Sequence, residues 1–198
     1  MIKKSMLFFI MAHLFCCVDK AEAGFGDDSH LVIDDSSFQL HYLFLFRRVY
    51  ENVTELTIEH TFDKYIGILS GRFPNITKIT FSECVLNDEI ITYFAEQEKG
   101  TMAESEFEHL ADLDVSNKNI SDIGAKAIAE NLKELVFLNI KGNSIGYEGV
   151  LALINNLPKL QYFSFDMDKM GGEQNQNTLR NLMAQKGIDV YHNYDYVG

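Results

Sequence analysis

Apolar residues return at a fixed distance through the second half of this chain. In residues 110–134, LADLDVSNKNISDIGAKAIAENLKE, polar positions separate Leu110, Leu113, Val115 and Ile120. Residues 135–159, LVFLNIKGNSIGYEGVLALINNLPK, repeat the arrangement with Leu135, Leu138, Ile140 and Ile145, a step of 25 residues. The same step leads to Leu160, Phe163, Phe165 and Met170, and then to Ile188 and Val190. In the other direction Ile76, Ile79, Phe81 and Leu86 form a further copy, and Val53, Leu56 and Ile58 another, with less even spacing. Self-similarity at a period of this length marks a stacked array of supersecondary units.

Each copy changes period in its middle. Leu113-Asp114-Val115 alternates apolar and polar, as a short strand with one buried face does. After it, Ser121 stands where a helix N-cap is expected, and Ala125, Ile128, Ala129 and Leu132 fall on one side of the helix that follows. Gly149, Val150, Leu153, Ile154 and Leu157 do the same one copy later, and Pro158 closes that helix. Neither half buries its apolar face alone, so the copies must stack. Parallel strands sit ~4.8 Å apart and packed helices roughly 8–10 Å apart, so strands inside and helices outside bend the array into an arc. The expected fold is α/β: a curved solenoid with parallel strands on the concave face and helices on the convex face. The polar stretch EQEKGTMAESEFEH between Leu86 and Leu110 reads as a longer helix end and a surface loop inserted in one repeat.

These residues resemble the leucine-rich-repeat family, in particular its ribonuclease-inhibitor-like class, whose pattern is LxxLxLxxNxL followed by a helix. LVFLNIKGNSI matches that pattern at every fixed position, and ISDIGAKAI and IGYEGVLAL resemble the GALA-type repeats of secreted proteins from bacteria that live with eukaryotic hosts. The resemblance is closest over residues 110–170. It implies a binding protein rather than an enzyme, with an effector role on host proteins as the nearest analogy. The family's Asn after the strand, which bonds the backbone of the turn, is present as Asn143, whereas Cys84, Lys118 and Asp168 stand at the equivalent places, with Thr61 as a fourth. Cys is tolerated there in related repeats. Lys118 is expected to turn outward and leave the turn to Asn117 and Asn119. GALA-type proteins commonly carry an F-box near the N-terminus, and residues 24–52 contain none, which weighs against a ligase-adaptor role.

The first residues form a different kind of segment. Lys3 and Lys4 precede an apolar run from Met6 to Val18, and Ala21-Glu22-Ala23 precede Gly24. Those are the parts of a signal peptide with cleavage near Ala23, and the run is short of the ~20 residues that span a bilayer. Residues 1–23 are thus expected to be a signal peptide, 24–52 an N-terminal cap with the apolar segment QLHYLFLFRRV over the first open edge, and 53–198 a repeat domain of five to six strands. The implied address is secreted or periplasmic, with no stable membrane anchor.

Export changes the reading of charge and cysteine. Taking three lysines and two acids from 17 bases and 29 acids leaves the mature chain at −13. That balance opposes nucleic acid and anionic lipid, both of which are contacted through Lys and Arg, and fits a protein partner with a basic surface or simple solubility. Two of three cysteines lie in the leader, so Cys84 has no partner for an internal disulfide, and a monomer must be held by its own core.

Catalytic motifs are lacking: there is no HExxH, GxSxG, phosphate loop or CxxC in the mature chain. Cys84 is expected to point inward as a structural residue. His60 with Asp63, and Asp166 with Asp168, follow strands where Asp serves the turn, so no metal and no cofactor are expected. The strand positions facing the concave side are the candidate partner-binding residues. They run from Glu55, Thr57 and Glu59 through Lys78, Thr80 and Ser82 to Asp112, Asp114 and Ser116. Phe137, Asn139 and Lys141, then Tyr162, Ser164 and Asp166, then Asp189 and Tyr191 complete the face. The expectation centres on Asp112, Asp114, Phe137, Asn139, Lys141, Tyr162, Ser164 and Asp166. Phe137 and Tyr162 fall in neighbouring strands, and two readings stay open: anchors for a partner flanked by acids, or a pair that stabilises the sheet. A periplasmic or envelope structural protein without an external partner is the alternative to a binding role. Asn52, Asn75 and Asn119 open formal glycosylation sequons, which matter only in a eukaryotic secretory route.

Overall fold

The computed structural model describes residues 29–33, 51–59, 73–96 and 109–190. Within these, seven strands form one parallel sheet in sequence order. They are β1 His30–Ile33, β2 Glu55–Glu59, β3 Lys78–Ser82, β4 Asp112–Asp114, β5 Phe137–Asn139, β6 Tyr162–Ser164 and β7 Asp189–Val190. The described helices are α1 Asp88–Glu96 after β3, α2 Asp122–Asn131 after β4, α3 Tyr147–Asn156 after β5 and α4 Glu173–Lys186 after β6. A 3₁₀ turn, Met167–Met170, precedes α4. This alternation of parallel strand and helix, one unit stacked on the next, is the expected α/β solenoid arrangement.

The alternation seen in the sequence is what builds the core. Leu56, Ile79, Leu113, Leu138 and Phe163 lie in register on the inner side of the sheet and are fully buried. Against them pack Ile91 and Phe94 of α1, Ala125, Ile128 and Ala129 of α2, and Val150, Leu153 and Ile154 of α3, in one continuous cluster. Burying each large aliphatic side chain contributes roughly 1.5–3 kcal/mol, and it can do so only because the neighbouring unit covers it. α4 differs: it buries Leu179 and Met183, packs Leu182 partly against the core, and is otherwise mostly polar.

Two features of the sheet depart from the sequence reading. β1 lies inside the stretch 24–52 assigned to a cap, and it pairs with β2 as a strand, Leu31 beside Leu56 and Ile33 beside Ile58. That pairing is again a step of 25, hidden by the acidic and Ser residues that follow it; the segment QLHYLFLFRRV lies outside the described residues. At the other end the step is 27 rather than 25, since Phe163 pairs with Val190 and Tyr162 with Asp189. The reason is length: α4 has 14 residues where α2 and α3 have 10. Because both steps are odd, each residue keeps its expected side of the sheet while Asp189 moves from beside Ser164 to beside Tyr162.

Between strand and helix the chain is held by bonds to the neighbouring unit. Asn143 accepts from the backbone N–H of Lys118 and Ile120 at 3.1 and 3.2 Å and donates to the carbonyls of Val115 and Ile140 at 2.8 and 2.9 Å. One side chain thus satisfies the turns of two repeats. Lys118 does not turn outward as expected: it is 8% exposed, and Asn143 of the next repeat serves its turn. Cys84 takes the same inward position one repeat earlier, its thiol 3.0 Å from the carbonyls of Ile58 and Ser82. Asp168 is exposed in the 3₁₀ turn and not in this ladder; instead Lys169 donates from Nζ to the Asn143 carbonyl at 2.9 Å. Thr61 lies outside the described residues.

Helix starts are tied in a second ladder. Asp88, in the first turn of α1, accepts from Ser121 N–H at 2.8 Å, Ser121 Oγ at 2.5 Å and Gly124 N–H at 3.0 Å, all at the start of α2. Asp122 in α2 accepts from Gly146 N–H at 2.7 Å at the start of α3. A Cβ at Gly124 would come within 2.8 Å of Asp88 Oδ1, and one at Gly149 within 2.5 Å of Asp122 Oδ1. The glycines let the carboxylate reach the positive end of the next helix. Ser121 is the N-cap of α2 as expected, accepting from Ile123 N–H.

Candidate functional site

The face of the sheet turned away from the helices is organised in rows, because parallel strands in register set equivalent residues side by side. The first row runs His30, Glu55, Lys78, Asp112, Phe137, Tyr162, Asp189. The second runs Val32, Thr57, Thr80, Asp114, Asn139, Ser164. Beyond the strands, Ser116, Lys141 and Asp166 follow on. Six of the eight expected residues sit on β4, β5 and β6, and Lys141 and Asp166 each stand two residues after β5 and β6; Tyr191 lies outside the described residues.

The rows differ in what they leave open. In the second row, Asp114 accepts from Ser116 N–H at 2.9 Å and from Asn139 Nδ2 at 3.0 Å, and Asn139 Oδ1 accepts from Lys141 N–H. Asn139 is 1% exposed and Ser164 0% exposed, so both are interior groups of this face and not groups that an incoming molecule touches first. Asp166 is engaged in the turn: it accepts from Gly142 N–H at 2.9 Å and pairs with Lys169 at 2.8 Å. Partial burial opposes its charge, yet the bonds from Lys169 and Gly142 outweigh it and, with Lys141 nearby, hold its carboxyl below the usual range.

The first row is the accessible one. Tyr162 is 45% exposed, Asp189 is exposed, and Asp112 and Phe137 are half-buried. Phe137 stands beside Tyr162 as expected, and Tyr162 stands between Phe137 and Asp189. Asp112 is under electrostatic stress. Burial pushes its carboxyl up to about 6; Lys78 opposes the rise, and Asp114 and Glu55 add to it. Lys78 lies 3.9 Å from Glu55, at the outer limit of an ion pair. At the N-terminal side His30 Nε2 lies 2.8 Å from Thr57 Oγ1.

Sequence reasoning missed β1 and with it His30 and Val32 of these rows. The signal was present in Leu31 and Ile33, one step of 25 before Leu56 and Ile58.

The remaining chemistry of the described residues is sparse. Cys84 is buried, and burial raises its thiol to about 11 against the lowering effect of Lys118, so it is protonated at neutral pH. Among the described residues no group of three or more His, Cys, Asp or Glu is placed to hold a metal ion, and no helix is long and apolar enough to cross a membrane. His60 and Asp63 lie outside the described residues. Asn52, Asn75 and Asn119 are all exposed. The two Asn-x-Thr copies also have a structural use: Asn75 Nδ2 donates to the Glu51 carbonyl, and the hydroxyls of Thr54 and Thr77 donate to the carbonyls of Ser29 and Thr54.

Two consecutive segments, residues 108–129 and 132–153, match the family model described as Leucine Rich repeat. They cover β4–α2 and β5–α3, the two most regular units. A comparison with curated proteins finds no match.

Proposed function

We propose that this chain is an exported protein whose repeat domain binds another protein through the open face of its sheet, without catalysis. The observation that carries the reading is the accessible first row, in which four strands bring Asp112, Phe137, Tyr162 and Asp189 side by side. Leucine-rich repeats suggest protein–protein interaction, and half-exposed aromatics flanked by acids are the composition that anchors an interface and selects a basic partner. Export rests on the leader-like residues 1–23, and an effector role on host proteins on the resemblance to GALA-type repeats. A non-catalytic role is supported by the protonated, carbonyl-bonded Cys84, the sole cysteine after that leader.

The test is site-specific cross-linking in the native setting. A photoreactive residue at position 162 is expected to trap a protein partner, and one at the exposed Arg180 of α4 is not. Adducts from position 180 with none from 162 would move binding to the helix side and overturn the reading.

A periplasmic or envelope structural protein is the second reading. Its support is that Asp114, Asn139 and Asp166 already spend their polar groups on the chain itself. Fractionation separates the two: protein confined to the envelope with no adduct from position 162 favours the structural role.

A further inference from the structure

The spacing of the first row goes beyond a generally basic partner. Asp112, Phe137, Tyr162 and Asp189 sit on β4, β5, β6 and β7, one strand apart each, with no residue of another type between them in the row. At ~4.8 Å per strand, the two carboxylates stand about 14 Å apart with the aromatic pair centred halfway between them. An extended chain advances ~3.4 Å per residue and turns every second side chain to the same side. Residues i and i+4 of such a chain are therefore about 14 Å apart, and residue i+2 falls about 7 Å from each, over the seam between Phe137 and Tyr162.

Resting on the binding role proposed above, we infer that the open face takes an extended segment of its partner, lying across the strands, with a Lys or Arg at i, an aromatic or large apolar residue at i+2 and a second Lys or Arg at i+4. The bases meet Asp112 and Asp189, and the middle side chain covers the exposed Tyr162 ring and the half-buried Phe137. Charge fixes where the segment lies. Towards the N-terminal strands the next residue of the row is Lys78, which repels a third base, so the acidic end of the binding row is Asp112. Lys78 stands between Glu55 and Asp112 and acts on both, so by register Asp112 is the carboxylate of this side nearest the aromatics. A cation over Asp112 also offsets the stress that burial, Asp114 and Glu55 place on that carboxylate. Arg serves better than Lys at i, because its planar head can pair with Asp112 while stacking on Phe137.

The probe is a set of capped five-residue peptides titrated into the protein and followed by isothermal calorimetry and by Tyr162 signals in nuclear magnetic resonance. Arg-Thr-Tyr-Thr-Arg is expected to bind at least fivefold more tightly than Gln-Thr-Tyr-Thr-Gln and than Arg-Arg-Thr-Thr-Tyr, which has the same composition in another order. D112N and D189N are each expected to weaken the first peptide at least fivefold, and neither side chain contributes to the hydrophobic core. Equal affinity for the two arginine peptides, or an unchanged affinity in both variants, would overturn the inference. If position 162 still traps a protein partner under either result, the binding role stands and only the recognition pattern fails. If position 162 traps nothing and no peptide binds, both fail.

Discussion

At the junction between α1 and α2, Asp88 reaches from the first turn of one helix to the first turn of the next through three hydrogen bonds. At the junction between α2 and α3, Asp122 repeats the reach with one bond to Gly146. At the junction between α3 and α4 the ladder stops. Tyr147 occupies the place of Asp122, and α4 has Gly172 as its N-cap, with no side-chain cap bond. What joins α4 to its neighbour lies at the other end, where Lys186 donates from Nζ to the Ile154 carbonyl at 2.9 Å, together with the buried Leu179 and Met183. The contrast separates two ways of joining neighbouring repeats. Central units are locked at their helix starts by carboxylates whose partners lie one repeat away, and the unit of α4 lacks that carboxylate and is held by Asp166, Lys169 and Lys186 instead.

The largest effect is expected where a single side chain serves two turns. Asn143→Ala removes two acceptor and two strong donor bonds and leaves buried N–H and C=O groups of both central repeats unpaired. Each such group costs about 1–3 kcal/mol, so for the four groups a loss of at least about 4 kcal/mol in a denaturant titration is expected, a large share of the roughly 5–15 kcal/mol that holds a folded domain. A loss below about 1 kcal/mol would mean that water replaces the ladder and that the central units are no more tightly joined than the last.

The helix ladder is next. Asp88→Ala is expected to destabilise by about 2 kcal/mol and Asp122→Ala by about 1 kcal/mol, following the number of N–H groups each carboxylate caps. For Asp88, partial burial opposes the charge, but the bonds from Ser121 and Gly124 outweigh it and lower its titration. Its stabilisation is therefore present above pH 4 and lost as the pH falls through its depressed value. Equal effects of the two substitutions would remove bond count as the explanation.

These ladders also mark the limit of what the sequence made legible. Leu113, Leu138 and Phe163 could be placed on one buried side because alternation and helical spacing are local patterns, read within a dozen residues. The repeat pattern marks Asn143 as the residue that bonds its own turn, but its partners in the preceding repeat are 23 to 28 positions away and those of Asp88 33 to 36, so no local pattern announces them. The charge of Lys118 favours water, yet the residue is buried and the turn it occupies is bonded by Asn143. On the candidate site, the row of Asp112, Phe137 and Tyr162 followed from the 25-residue step. Asp189 could be placed beside Tyr162 only once α4 proved longer. Asn139 and Ser164 faced the expected side but are buried there, since period alone fixes direction and not depth.

Asp112 carries the comparison onto the sheet. Its neighbour Asp114 is paired within the central units, while Asp112 is half-buried between Lys78 and Phe137, and burial, against Lys78 and with Asp114 and Glu55, pushes its carboxyl up to about 6 from an ordinary 3.8. The folded chain therefore binds a proton more readily here than the unfolded chain does. The associated stability is full below about pH 4 and is lost as the pH rises through about 6. With allowance for solvent screening at a half-exposed site, the loss is about 1 kcal/mol. Asp112→Asn should flatten stability between pH 4 and 7 and leave the protein slightly more stable at neutral pH. A stability curve for D112N that falls as steeply as that of the unsubstituted protein would assign the pH dependence elsewhere.

The smallest expected effect is also the most direct test of why the last junction differs. Gly172 has the extended backbone of an N-cap, with φ −57 and ψ 171, and a Cβ built there meets nothing within 4 Å. Gly172→Ser adds a hydroxyl that can accept from the Gln174 N–H in the first turn of α4, where Asn175 and Gln176 already donate to the Gly172 carbonyl, without displacing a neighbour. Since Gly is itself a tolerated cap, the gain is expected to be only a few tenths of a kcal/mol, ~0.3. It should appear as slower amide hydrogen exchange in the first turn of α4, with α2 and α3 unchanged. A gain that instead spreads to α3 would show that the last junction is coupled to the central units as tightly as they are to each other, despite lacking a carboxylate at Tyr147.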